Sequence, residues 1–277
     1  MKAIKSLLLA SLVLFIISCE NDEVLIKQEQ ITQDVINRIS ELGFSTDRVL
    51  KIEEGFLVEG DIILTNEDLN PLPRNIFSRQ APTETENNSH EVQQYRTNNL
   101  VSVSGTSRTI SVSLELKRIP AGYSEAVDEM IRRFNSENLT LKFSRVASGG
   151  NIRLIDGTGS YLASAGFPTS SGDPYNLVKI NSRAIGSGTS NSKIQNIATI
   201  LAHEVGHCIG FRHTDYMNRA YSCGGSATNE GDGGVGANHI NGTPTGPDDG
   251  SWMLSCIGSG ANRPFNANDK TALNALY

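Results

Sequence analysis

Residues 192–210 read SKIQNIATILAHEVGHCIG, and the chain runs on through FRH to residue 213. The apolar spacing of that stretch predicts a helix packed inside a domain. On such a helix His203 and His207 lie one turn apart on one face, so their imidazoles can reach the same point, with Glu204 beside them. Gly210 is placed to end the helix in a left-handed conformation and turn the chain back, so that His213 can supply a third nitrogen.

Three neutral imidazoles favour tetrahedral zinc with the fourth position open to water, a catalytic arrangement and not a closed structural one. A carboxylate next to water held there can take its proton during attack on a carbonyl and pass it to the leaving nitrogen. Ordinary surface or core histidines are the plain alternative. At average residue usage a bare HExxH arises in a chain this long about once in a hundred, and the added glycine and third histidine lower that to about one in 10⁵. The alternative survives for His90, in a polar stretch, and for His239, in a glycine-rich one; both read as solvated.

Outward from the helix, TISVSLELKRI (109–119) alternates as a strand and YSEAVDEMIRRFNSEN (123–138) has a helical apolar face at Ala126, Met130, Ile131 and Phe134. LTLKFSRV (139–146), NIRLID (151–156) and LVKINS (177–182) return to strand character. Strand, helix, strands, then the histidine helix is the order of an α/β sandwich over a twisted, mostly parallel sheet. Residues 221–260 are rich in Gly, Asn, Asp and Pro and predict loops, and ANDKTALNALY (267–277) predicts a closing helix. Upstream, ITQDVINRISEL (31–42) has a helical period stopped by Gly43, and GFLVEGDIILT (55–65) reads as two strand pieces about Gly60. Between residues 70 and 99 the composition turns polar, with RQAPTETENNSHE (79–91) at its centre, which predicts a linker open to proteases.

Composition bounds the rest. The chain has 277 residues, 38% hydrophobic, enough for one substantial core and a smaller accessory region. A net charge of -6 and no Lys/Arg run interleaved with aromatics argue against nucleic-acid binding. Lys2 and Lys5 precede an apolar run from Leu7 to Ile17, too short to span a bilayer comfortably, so residues 1–18 read as a secretory signal. Ile16-Ile17-Ser18-Cys19 resembles the lipobox of bacterial lipoproteins, which makes Cys19 the expected lipidated first residue of the mature chain. The expected location is the bacterial cell envelope, outer membrane or cell surface, with release after linker cleavage. Cys208, Cys223 and Cys256 then remain in a compartment that allows oxidation. Of the three pairings, position favours Cys223 with Cys256, both in loops that need restraint, and leaves Cys208 reduced on the packed helix.

HEVGHCIGFRH resembles the HExxHxxGxxH signature of the metzincin metalloendopeptidases, and Ser251-Trp252-Met253-Leu254 is similar to their Met-turn, whose methionine forms an apolar floor under the metal. The resemblance is nearest to the bacterial dual-action HEIGH metallopeptidases, through HEVGHCIGFRHTDY, NHINGTPTGPD, SWMLSC and RPFNANDKTALNALY. It implies an α/β (α+β) catalytic domain over residues 100–277 with a twisted mixed sheet, an active-site helix, a Met-turn and a loop-rich C-terminal subdomain. It implies zinc on His203, His207 and His213, Glu204 as general base, Met253 as the Met-turn residue, and polypeptide substrates bound extended along a sheet edge. Trp252 and Phe211 read as packing. Two departures stand out: astacins and serralysins carry a tyrosine where this chain has Ser255, and Thr214-Asp215 after the third histidine matches no better-known metzincin group.

The organisation that follows is a signal at 1–18, a prosegment-like region at 19–69, a linker at 70–99 and the catalytic domain, in a monomer. Astacin prosegments carry a stretch similar to Val58-Glu59-Gly60-Asp61-Ile62, in which an aspartate occupies the open zinc position. By that resemblance Asp61 is a latency candidate, and a plain hairpin with Gly60-Asp61 at its turn is the other reading. A lipid-anchored surface binding protein with a non-catalytic zinc site is the second functional class, against which Glu204 argues. Hydrolysis of a non-peptide amide is the third.

Overall fold

The computed structural model describes residues 31–42, 44–69, 94–231 and 234–277. Residues 1–30, with the expected signal and Cys19, and Gly43, residues 70–93 with His90, and residues 232 and 233 lie outside the described residues.

The alternating segments become strands β5 (Arg108–Leu114), β6 (Leu141–Val146), β7 (Ile152–Asp156) and β9 (Leu177–Ile180). β5 pairs in parallel with β6 and β7, and β7 with β9. The expected run to Ile119 stops at Leu114, where the ladder to Leu154 ends, and Ile119 is left exposed. Strand β8 (Ala163–Ala165) is antiparallel to β9, which makes the sheet mixed. Its three small residues show neither alternation nor an apolar run, so periodicity passes over it.

Two helices pack on this sheet. In α3 (Tyr123–Asn135) the buried face is Ala126, Val127, Met130 and Phe134, at helical spacing. Helix α5 (Asn191–Ile209) is capped at its start by the Ser190 hydroxyl accepting from the Lys193 amide, and every residue from Asn196 to Ile209 is buried. A helix buried on every side lies in the core, and burying each of Ile197, Leu201 and Val205 is worth about 1.5–3 kcal/mol. The C-terminal helix α7 (Ala267–Leu276) opens on a reciprocal cap between Asn266 and Asp269.

The N-terminal region joins the same sheet. After α1 (Gln33–Glu41), strands β1 (Leu50–Ile52), β2 (Gly55–Val58) and β3 (Ile62–Thr65) form an antiparallel meander leading to the short α2 (Asn66–Leu69). β3 then pairs in parallel with β8 at Ile62 and Ala165, giving the order β1-β2-β3-β8-β9-β7-β5-β6. Ile39, Phe44, Phe56, Val58, Ile62 and Leu64 make a small core of their own, closed by Phe167 and Val235 from later in the chain.

The expected linker does not reach residue 99. β4 (Tyr95–Arg96) pairs with β10 (Asn238–His239), and the buried Gln94 amide donates to Ser251 and Asp269. Tyr95 is buried edge-on against Tyr216, so its apolar ring is worth more inside than in a solvated linker. Residues 220–260 are mainly loops, with a single turn α6 (Ala220–Cys223), following the four-residue α4 (Ser182–Ile185) earlier in the chain. Cys223 and Cys256 form a disulfide with Cα atoms 5.1 Å apart, and Cys208 is buried and free. His239 is exposed and bonds to Thr243.

Candidate metal centre

Helix α5 carries His203, Glu204 and His207 into the interior, and Gly210 ends it at φ 109°. A Cβ there would lie 2.8 Å from Leu100 Cδ2, so only glycine fits the turn. The Thr97 amide bonds Gly210 O at 2.8 Å and the Arg212 amide bonds Tyr95 O at 2.9 Å, fixing the returning chain. His213 thereby meets the other two histidines.

Each imidazole is oriented through Nδ1. His203 Nδ1 is 2.8 Å from Trp252 O, His207 Nδ1 2.9 Å from Phe211 O, and His213 Nδ1 2.9 Å from Glu230 Oε2. Carbonyls and carboxylates only accept, so Nδ1 carries a proton in each ring and the three Nε2 atoms face inward. His203 and His207 Nε2 lie 3.1 Å apart, with Asp61 Oδ2 at 3.6 Å from His203 Nε2 and 3.2 Å from His213 Nε2. With Nε2 unprotonated, these nitrogens and the carboxylate form a donor set for a cation. Nitrogens sharing a tetrahedral zinc at about 2.0–2.1 Å are roughly 3.3–3.4 Å apart, so the donor set fits that ion. His213 Nε2 and Asp61 Oδ1 have no hydrogen-bond partner, as donors awaiting a metal would. Burial, then the neighbouring His203 and His213, push the His207 pKa well below the ordinary value, in keeping with a neutral ligand.

Glu204 is buried and its Oε2 is likewise unpartnered. Burial first and the Asp61 carboxylate second hold its pKa well above the usual carboxylate range. The group borders a cleft of about 700 Å³ whose walls include Tyr161, Ile200, Arg219 and Leu254.

Under the histidines, Met253 and Trp252 are fully buried. The reason for glycine at 206, within a helix, is contact: a Cβ there would come 2.6 Å from both Met253 Sδ and Trp252 Cη2. Alanine would gain about 1 kcal/mol in helix propensity but overpack the floor by about 1–3 kcal/mol. Gly206→Ala is therefore expected to lower the denaturation midpoint and weaken zinc retention, despite its better propensity. Equal stability and equal zinc content on denaturant titration and elemental analysis would contradict the close-packing account.

Residues with no motif complete the centre. Thr214 N bonds Met253 O at 2.9 Å, and buried Asp215 accepts at 2.9 Å from both the amide and the hydroxyl of Ser255. Ser255 thus ties the segment after Met253 to the segment after His213. Buried Arg212 stacks near Phe44 and Phe167 at 5.1 and 5.7 Å and bonds Gly236 O at 3.1 Å. Glu230 comes from the glycine-rich stretch ATNEGDGG, where nothing in the spacing singles it out. Asp61 lies in a hairpin, where Val58 pairs with Ile62 around Glu59-Gly60-Asp61, and its carboxylate turns toward the histidines.

A sheet-backed buried helix with three imidazoles converging beside a carboxylate defines a metal-dependent hydrolase. The chain belongs to the dual-action HEIGH metallo-peptidase family, whose sequence profile matches residues 74–277. Membership and donor chemistry together make it a zinc metalloendopeptidase. Among solved structures, myroilysin is 15% identical with a TM-score of 0.39, over 62% of this chain and 82% of that one. The hatching enzyme zinc-protease high choriolytic enzyme 1 from the medaka fish Oryzias latipes is 17% identical with a TM-score of 0.39, over 65% of this chain and 94% of that one. Likeness this distant carries no inference here. No curated protein matches the chain.

Proposed function

We propose that His203, His207 and His213 hold the zinc through Nε2, that Glu204 is the general base, and that the substrate is a peptide lying extended along β8. Zinc so held supplies a Lewis acid that polarises the scissile carbonyl and acidifies water. Glu204 faces the cleft next to His203, where its free Oε2 can accept a proton from attacking water and deliver it to the leaving nitrogen. Met253 forms the apolar floor that keeps the imidazoles in place. The observation that carries the reading is the convergence of three imidazole Nε2 atoms beside the Asp61 carboxylate, each ring oriented through its Nδ1.

Residues 19–69 are proposed to be a prosegment, and 70–93 the linker whose cleavage releases the catalytic part. β3 takes the outer edge of β8, where an added strand of substrate would pair, and Asp61 offers a carboxylate oxygen to the histidine cluster. Cys19 is proposed to carry a lipid anchor to the bacterial envelope, and the chain to act as a monomer. The second reading, a surface binding protein with an inert zinc site, leaves Glu204 beside the open position without a role. A peptide library treated with the chain after cleavage between residues 70 and 93, with and without chelator, tests this directly. Chelator-sensitive cleavage of internal peptide bonds is expected. Zinc binding without cleavage would favour the binding protein, and cleavage of non-peptide amides alone would make it an amidase.

A further inference from the structure

We propose that Glu230 is the positioning residue of the metal centre: its carboxylate orients and polarises His213 so that Nε2 faces the zinc. The inference rests on His213 being a zinc ligand.

The need arises from topology. His203 and His207 ride on α5, whose backbone fixes both rings, and each gives its Nδ1 proton to a neutral carbonyl. His213 lies beyond the helix, after the Gly210 turn, with no helix to set its ring. There, and at neither of the other two, the acceptor is a carboxylate, with its two oxygens 3.0 and 2.9 Å from Nδ1. A carboxylate behind a ligating imidazole locks the ring against rotation, fixes the tautomer and makes the far nitrogen a better donor.

Glu230 is itself held as such a part must be. It is fully buried, and its amide bonds Tyr216 O at 2.6 Å. Arg219 Nη1 donates to Oε1 at 2.9 Å, Ser255 Oγ stands 3.1 Å from the same oxygen with its one proton shared with Asp215, and Arg212 Nη2 stands 3.9 Å from Oε2. Two guanidinium groups compensate a charge that would otherwise be costly to bury. Ser255 is the residue two past Met253, so the floor of the site and the third ligand share this one carboxylate. Glu59 brings another carboxylate into the cluster, but from the hairpin that also carries Asp61. Glu230 belongs to the same part of the chain as the histidines and stays with them.

The test measures zinc affinity of the full mature chain by competition with a chromophoric chelator, for the parent, Glu230→Gln, Glu230→Asp and His213→Ala. Glu230→Gln is expected to weaken zinc roughly 10- to 100-fold, with Glu230→Asp recovering part of the loss. His213→Ala is expected to weaken it further. Because Glu230→Gln also leaves buried Arg212 and half-buried Arg219 without their carboxylate, the unaltered zinc-loaded protein is read alongside by long-range proton–nitrogen NMR of its histidine rings. His213 should show a protonated Nδ1 and a metal-shifted Nε2. A bare or metal-bound Nδ1 overturns the proposal. So does Glu230→Gln zinc affinity within about twofold of the parent while His213→Ala is strongly impaired. If His213→Ala binds zinc like the parent, the ligand assignment itself fails and the proposal falls with it, a pattern distinct from failure of Glu230 alone.

Discussion

Glu204→Gln is expected to abolish peptide turnover while zinc stays near one per chain. The amide keeps the shape of the side chain in its buried position, so the three imidazoles, held through Trp252 O, Phe211 O and Glu230, have no reason to move. What is lost is a proton acceptor at Oε2, and Ser255 does not replace it, being committed to Asp215 and Glu230. General base catalysis contributes roughly 10²–10⁴-fold, so at least a hundredfold fall is expected with metal content unchanged by elemental analysis. Activity within about tenfold of the parent would sink the role. Loss of zinc together with activity would instead place Glu204 in the structural support of the site.

The metal centre was legible in the sequence to the extent that local geometry dictates it. A helix puts residues 203 and 207 on one face, and a left-handed glycine reverses the chain, so the meeting of three imidazoles followed from eleven residues. Everything that arrives from afar was invisible. Glu230 reaches His213 across seventeen positions of the chain, and Gln94 reaches Asp269 across one hundred and seventy-five. Such partners are chosen by tertiary packing and leave no period. The same holds for β8, whose Ala-Ser-Ala becomes a strand through its neighbours β3 and β9 and not through its own propensity. Arg212 would pass for a surface cation, yet it is fully buried among aromatic rings. Polar residues placed by long-range contacts are where sequence periodicity has least to say.

Asp61→Ala, in the chain from residue 20 onward, is expected to raise peptidase activity before any cleavage of the linker. The carboxylate stands 3.2 Å from His213 Nε2 and 3.6 Å from His203 Nε2, close to where the fourth ligand of a shared zinc would lie, and alanine offers no donor there. Losing one charge-assisted contact of about 1.5–3 kcal/mol shifts the blocked fraction roughly ten- to a hundredfold. The hairpin should survive, since Val58–Ile62 pairing and the bond from Ala165 N to Asp61 O at 2.9 Å use backbone atoms that the substitution keeps. That survival separates two ways of being latent. If the carboxylate is the latch, the variant gains activity with β3 still on the edge of β8. If the edge itself is the block, the variant stays as silent as its parent, and only removal of residues 31–69 through cleavage in the 70–93 stretch releases activity. Peptide turnover of the two uncleaved chains, measured beside the cleaved parent, decides between them. An inactive variant with an active cleaved chain would rule Asp61 out as the ligand and leave strand occupancy as the means by which the N-terminal region closes the cleft.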